Sequence, residues 1–242
     1  MENVQDYVET IKAPWGKMFY DLLFIQLNVP QTPKLNVLDF GSGLGVASNY
    51  YAKWHNVTAI EPNEEMIENR HTENNYTQIH GDIEALKSFA DNTFDCIFCH
   101  NVLEYIEDKE PILQSLFRVL KIGGTLSVVK HNRTGRVLHT AVFHNNPHKA
   151  LSLVEEGSND KSGYLGTQYI YSNDKLTEWA TRHNGKLTNV LGMRAFWALG
   201  QDNSVKFTDE WYENMLELES RVASIKEYRQ VAFLNLLIFE RT

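Results

Sequence analysis

From Lys34 to Lys130 short β-rich runs alternate with helical stretches, and this rhythm constrains the fold more than any other feature of the chain. Asn36–Phe40 reads as a strand, followed by a glycine turn and a helix over Val46–Trp54. Asn56–Ile60 is the next strand, and Asn63 caps a short helix through Arg70. Thr77–His80 and Phe94–Cys99 follow as strands, then a helix at Pro111–Leu120 and a fifth strand at Thr125–Val129, entered through Gly123-Gly124. Strands returning in this way need right-handed crossovers, so the expected class is α/β: a Rossmann-like, mostly parallel sheet with helices on both faces.

At 242 residues, the chain is of a size to form one domain with an elaborated edge. We divide it into an N-terminal helical cap (1–33), a core (34–132), a helical insertion after strand five (133–173) and a C-terminal part (174–242) with further helices and the last two strands, Lys186–Trp197 and Val231–Arg241. No clear strand is expected between Arg133 and Gly166. Trp211, Met215, Leu218, Val222 and Ile225 recur at helical spacing after a start at Thr208, and they read as an ordinary core-packing face. Cys96 and Cys99 lie in a buried strand pattern, too few for a disulfide scaffold or a structural zinc site. No apolar run reaches the roughly 20 residues that span a bilayer. The N-terminus from Met1 to Asn3 opens no secretory signal, so a cytoplasmic protein without a membrane partner is expected.

The segment Asp39-Phe40-Gly41-Ser42-Gly43-Leu44-Gly45 follows a strand and opens a helix, the context a nucleotide-binding turn requires. Glu61 closes strand two, twenty residues after Gly41, where an open α/β sheet places the acid that accepts hydrogen bonds from ribose hydroxyls. A dinucleotide fingerprint needs glycine at position 46, and Val46 stands there, which counts against a nicotinamide-dependent oxidoreductase. Asp82, followed by Ile83, is a third acid at a carboxyl-end loop, suited to an adenine amino group.

These pieces, with His100-Asn101-Val102-Leu103-Glu104-Tyr105 and Arg118 to Gly124, resemble the class I S-adenosylmethionine-dependent methyltransferases over most of Val37–Val129. The resemblance implies a seven-stranded sheet with its last strand antiparallel, and S-adenosylmethionine as cofactor. It implies Asp39 near the methionine end, Gly41, Ser42, Gly43 and Gly45 against the cofactor, Glu61 on the ribose, and Asp82 with Ile83 at the adenine. A narrower likeness, carried by His100-x-Val102-Leu103-Glu104, Asn132-x-x-Gly135-x-x-x-His139, Gly192-x-Arg194-x-Phe196 and Leu216 to Glu219 followed by Arg221, is to the tRNA 5-carboxymethoxyuridine methyltransferases. That likeness implies His100 as a wall of the cofactor site. It also implies a methyl acceptor that is the carboxylate of a modified wobble uridine, met by Asn132, Arg133, Arg136, His139 and Arg194. The group carries a cofactor-contacting arginine in its first helix; Phe19 stands at that position here, with Lys17 the nearest cation.

Charge points the same way. The chain carries a formal −8, yet no Asp or Glu occurs between Glu110 and Glu155, an interval holding Arg118, Lys121, Lys130, Arg133, Arg136 and Lys149. His131, His139, His144 and His148 share it, without the acidic ligands a metal site would add. Such asymmetry fits an anionic partner, and it also fits a solvated loop. A carboxylate acceptor is ionised at pH 7 and needs no base. A hydroxyl or amine acceptor would need one, and His100 or His131 is the candidate. The turn after strand four lacks the Asn/Asp-Pro-Pro-aromatic loop of amino-methylating DNA enzymes, so DNA is not expected. A methyltransferase for a small acidic metabolite and a non-catalytic cofactor-binding regulator stay open on the residues alone.

Overall fold

The computed structural model describes residues 4–155, 159–163 and 166–242; Met1–Asn3 lie outside them. In chain order the elements are α1 (Val4–Lys12), α2 (Pro14–Leu27), β1 (Asn36–Phe40), α3 (Val46–Tyr51), β2 (Asn56–Glu61), α4 (Glu64–Glu68), β3 (Thr77–His80) and β4 (Phe94–His100). Next come α5 (Glu110–Val119), β5 (Leu120–His131), α6 (Arg133–Val142), α7 (Pro147–Glu155), β6 (Asn159–Gly163) and β7 (Gly166–Tyr169). The chain closes with α8 (Asn173–Arg182), β8 (Gly185–Met193), α9 (Asp209–Val222), α10 (Lys226–Arg229) and β9 (Leu234–Arg241).

Seven strands form one sheet in the order β3-β2-β1-β4-β5-β9-β8. β1 pairs in parallel with β2 on one side and β4 on the other, so Asp39 stands beside Ala59 and Phe98, and Glu61 stands beside His80. The chain steps outward from β1 to β3 and then returns to the far side of β1. That reversal opens a crevice at the carboxyl ends of β1 and β4, the place where open α/β sheets bind ligands.

The chain divides into two compact units, each assembled from distant segments. The first comprises Val29–Val128, Asn173–Asn189 and Leu237–Thr242. Its central strands are buried on both faces, with Val37, Leu38, Ile97 and Phe98 fully inaccessible, which is why β1 and β4 are mostly apolar, broken only by Asn36, Asp39, Asp95 and His100. α5 buries Ile112, Leu113, Leu116 and Phe117 on one side, each side chain contributing about 1.5–3 kcal/mol. Cys96 and Cys99 are buried free thiols, and burial pushes Cys96 up to about 12.

The second unit comprises Met1–Asn28, Val129–Ser172 and Val190–Leu236. Met18, Leu22 and Leu23 of α2 are fully buried. The face that α9 buries follows the apolar stripe in part: Val222 is buried and Trp211 and Met215 are half-buried, but Leu218 is 40% and Ile225 is 42% exposed, while Tyr212 and Glu219 from outside the stripe are inside. Three backbone amides satisfy the Glu219 carboxylate, so a charged residue occupies the inner face that hydrophobic spacing assigned elsewhere.

Three further boundaries depart from expectation. The insertion after β5 holds α6 and α7, and also an antiparallel β6–β7 pair where no strand was expected; Asn159–Gly163 is polar throughout and shows no alternation to read. β5 starts at Leu120 and runs on through the glycines, because sheet neighbours outweigh local propensity. β8 stops at Met193, since Arg194 turns into the left-handed region at φ 62°. Among the described residues no helix is long and apolar enough to cross a membrane, and no group of three His, Cys, Asp or Glu is placed to hold a metal.

Candidate active site

The turn between β1 and α3 is built by backbone amides. Gly41 and Ser42 donate their N–H groups to the Ile60 carbonyl at 2.8 and 3.0 Å, tying the turn to the end of β2. Gly41 sits at φ 74°, and a Cβ there would lie 2.3 Å from Val102 Cγ2, so only glycine fits. Gly45 caps α3, accepting from the Asn49 amide at 2.8 Å.

Glu61 closes the arrangement. Gly43 N–H donates to its Oε2 at 2.8 Å and Asn63 N–H to its Oε1 at 3.0 Å, so one buried carboxylate fixes both the glycine turn and the start of α4. Burial pushes this carboxyl up, while the two amides draw it down. Two amides leave further lone pairs on a carboxylate, the capacity that ribose hydroxyls need. Asp39 is buried beneath the turn, where Ser48 Oγ donates to Oδ2 at 2.6 Å. Burial raises its pKa to about 6, and the nearby Glu61 charge adds to the rise.

Among the described residues Ser42 Oγ and Asn101 Oδ1 are buried with no hydrogen-bond partner, one in the glycine turn and one just after β4. Buried orphan polar atoms are costly, and their place here fits a polar ligand that supplies the missing partners. Asp82 is exposed and caps a 3-10 turn over Ile83–Ser88, its Oδ1 accepting from Glu84 N–H at 2.9 Å. His100 stacks on Phe98 at 5.4 Å, and its Nε2 lies 2.8 Å from Ser127 Oγ. Burial pushes His100 down to about 3, so its ring is neutral at physiological pH and a poor proton acceptor. At the first-helix position Phe19 is buried, and the nearest cation, the exposed Lys17, pairs with Asp21 at 2.8 Å while lying over the Tyr212 ring.

The residues read as acceptor contacts lie in the second unit, and the structure separates them into fasteners and a cluster. Asn132 donates its side-chain amide to the Gln230 and Ala232 carbonyls at 2.8 and 2.9 Å. Gly135 packs so closely there that a Cβ would lie 2.0 Å from the Ala232 oxygen; together the two residues clamp the first turn of α6 to the segment before β9. Arg133 donates to the Leu153 and Val154 carbonyls near the end of α7, and Arg136 to Gln168 Oε1 at 3.0 Å.

By contrast, three groups converge on Phe233. His139 lies 4.7 Å from its ring centroid, His131 meets it edge-on at 5.1 Å, and the Arg194 guanidinium stands over it at 5.3 Å. Burial, then the charges of His144, Arg194, Lys206 and His131, push His139 down to about 4. Phe233 and Lys206 carry no motif in the sequence; only the fold brings them to this point.

Residues 38–128, spanning most of β1 to β5, match the family described as a methyltransferase domain. With the sheet order and the glycine turn, this makes the chain an S-adenosylmethionine-dependent methyltransferase of class I. Among curated relatives, the tRNA 5-carboxymethoxyuridine methyltransferase of Escherichia coli (strain K12) is 27% identical over 203 residues, covering 81% of this chain and 76% of that protein. The ubiquinone biosynthesis O-methyltransferase of Coxiella burnetii is 30% identical over 166 residues, covering 65% and 66% of the two chains. Solved structures share the fold: an S-adenosylmethionine-dependent methyltransferase from Archaeoglobus fulgidus aligns with a TM-score of 0.63 at 15% identity, over 97% of this chain and 98% of that one. A putative one from Listeria monocytogenes aligns at 0.62, also at 15% identity, over 93% and 96%.

Proposed function

We propose that this methyltransferase esterifies a carboxylate carried by a modified wobble uridine of a tRNA. The observation that carries the reading is convergence. Sequence pieces resembling the tRNA group, His139, Arg194 and Glu219, lie up to 80 residues apart, yet they meet around Phe233 or brace what does.

Gly41, Ser42, Gly43, Gly45 and Glu61 would hold S-adenosylmethionine, with Asp39 beneath them, Asp82 and Ile83 toward the adenine and His100 as a wall. The bound cofactor supplies an electrophilic methyl group on a cationic sulfur. This chain's residues then have four tasks: to hold the sugar, to exclude water, to orient the acceptor oxygen, and to keep neighbouring cations from being satisfied elsewhere. The acceptor carboxylate is already ionised, so no residue need remove a proton, in keeping with a neutral, weakly basic His100.

The test is incorporation of radiolabelled methyl groups into total tRNA, compared with a metabolite extract, followed by nucleoside digestion. A labelled uridine ester that disappears on mild alkaline treatment is the expected product, and activity should fall steeply with salt as phosphate contacts release counterions. Label confined to a free small acid, with no salt dependence, would refute the tRNA acceptor.

A further inference from the structure

Arg194 is unusual among the cations of this chain. It is half-buried; among the described residues its Nε is buried without an acceptor and its guanidinium stands over Phe233, while the charge of Glu219 lies near enough to act on it. A guanidinium has five N–H donors in a planar fork, and leaving a buried one such as Nε unmade is costly. Its backbone is held in the left-handed region at φ 62°, an uncommon conformation for a long side chain.

Glu219 holds that conformation. Its Oε2 accepts from Ala195 N–H and its Oε1 from Phe196 and Trp197 N–H, all at 2.8 Å, and the residue is 1% exposed. The carboxylate is therefore engaged by backbone and forms no ion pair with Arg194 among the described residues. Phe233 N–H adds a bond to the Arg194 carbonyl at 3.4 Å. Lys206, also buried, donates to the Gly200 carbonyl at 2.8 Å and Asn203 Oδ1 at 2.9 Å, and lies over the Trp197 and Phe143 rings. His139 stacks on Phe143 and meets His144 edge-on at 4.6 Å. His131, His139 and Arg194 thus meet at Phe233, and the buried Glu219 nearby spends its hydrogen bonds on the backbone.

We propose that Arg194, assisted by His139 beside it at Phe233, is the seat of the acceptor's carboxylate, and that Glu219 is a positioning residue that holds Arg194 ready for it. The inference rests on the carboxylate reading above but not on tRNA as its carrier. Arginine suits the ligand because its fork matches the two carboxylate oxygens in one plane. Arg133 and Arg136 have given donors to carbonyl and amide oxygens, so they brace the seat.

Phenoxyacetate, a planar ring bearing an oxyacetate arm, probes the seat directly. Binding to the full chain is followed by calorimetry and by the histidine ring proton resonances. Phenoxyacetate should bind, shift the His139 resonance, and raise that ring's titration point from about 4. Arg194→Gln should weaken it more than tenfold and Arg194→Lys about tenfold, with melting temperature unchanged in at least the lysine variant. Glu219→Gln should raise the acceptor KM while leaving kcat and S-adenosylmethionine affinity in place, a split that mere loss of folding cannot produce. Equal binding to wild type and both Arg194 variants, absence of binding to wild type, or equally strong competition by inorganic phosphate would each overturn the proposal. Phenoxyacetate held at Arg194 by a protein that leaves tRNA unlabelled would sustain the seat and defeat only the tRNA acceptor.

Discussion

Replacing Asp39 by Asn should make the protein more stable at neutral pH, although it removes a buried carboxylate beside the cofactor turn. Asp39 is shut away from water and has one side-chain partner, Ser48 Oγ at 2.6 Å. Its carboxyl titrates near 6, against an ordinary value of 3.8, chiefly because burial penalises the charge. The native state therefore keeps this proton up to about pH 6, while the unfolded chain releases it near 3.8. Between those values the native form binds more protons, so the contribution of Asp39 to stability is full below the lower value and is lost as pH rises through the upper one. At about 1.4 kcal/mol for each pH unit, the two-unit rise amounts to about 3 kcal/mol of cost above pH 7. Asn at position 39 carries no charge, and its carbonyl oxygen can still accept from Ser48. Urea denaturation followed by tryptophan fluorescence, at intervals from pH 3 to 8, should show the two proteins alike at the acid end. The variant should pull ahead by up to about 3 kcal/mol at the alkaline end. A variant that is less stable at pH 7.5, or a difference that does not change with pH, would refute the reasoning. Weaker cofactor binding alongside the added stability is expected where a functional site keeps a costly charge.

Two more outcomes follow from the same geometry. Glu61→Ala should weaken S-adenosylmethionine binding more than tenfold by calorimetry; because it also frees the Gly43 and Asn63 amides, Glu61→Gln is the informative companion, and unchanged affinity in both would remove Glu61 from the ribose. Gly135→Ala would place a Cβ 2.0 Å from the Ala232 carbonyl oxygen and should cost about 1–3 kcal/mol or more in a thermal melt, whereas an undisturbed melt would mean that α6 is not clamped there.

Much of the first unit was legible because its information is local. The fully buried strands β1 and β4 needed apolar runs, the turn at Gly41 needed a residue without a Cβ, and Asn63 announced the start of α4, where its side chain accepts from Met66 N–H. β6 and β7 were not legible, since a polar pair of strands leaves no alternation to detect. The stripe on α9 was only partly right for a related reason: hydrophobic spacing assumes that burial is apolar, and Glu219 is buried because amides 22 to 24 residues earlier receive it.

The motifs around Asn132 and Arg194 illustrate the division most sharply. As residues in order they point to an anion, but they do not distinguish a cation that waits for a ligand from one that fastens a helix. Arg133 ends on the carbonyls of α7, while Arg194 is left over a phenylalanine with its buried Nε unpartnered among the described residues. Local chemistry was enough to specify the class of fold and the cofactor turn, because backbone conformation and strand burial are written into neighbouring residues. Which charges remain available was decided by tertiary packing, because hydrogen-bond partners come from segments that meet only after the chain has folded.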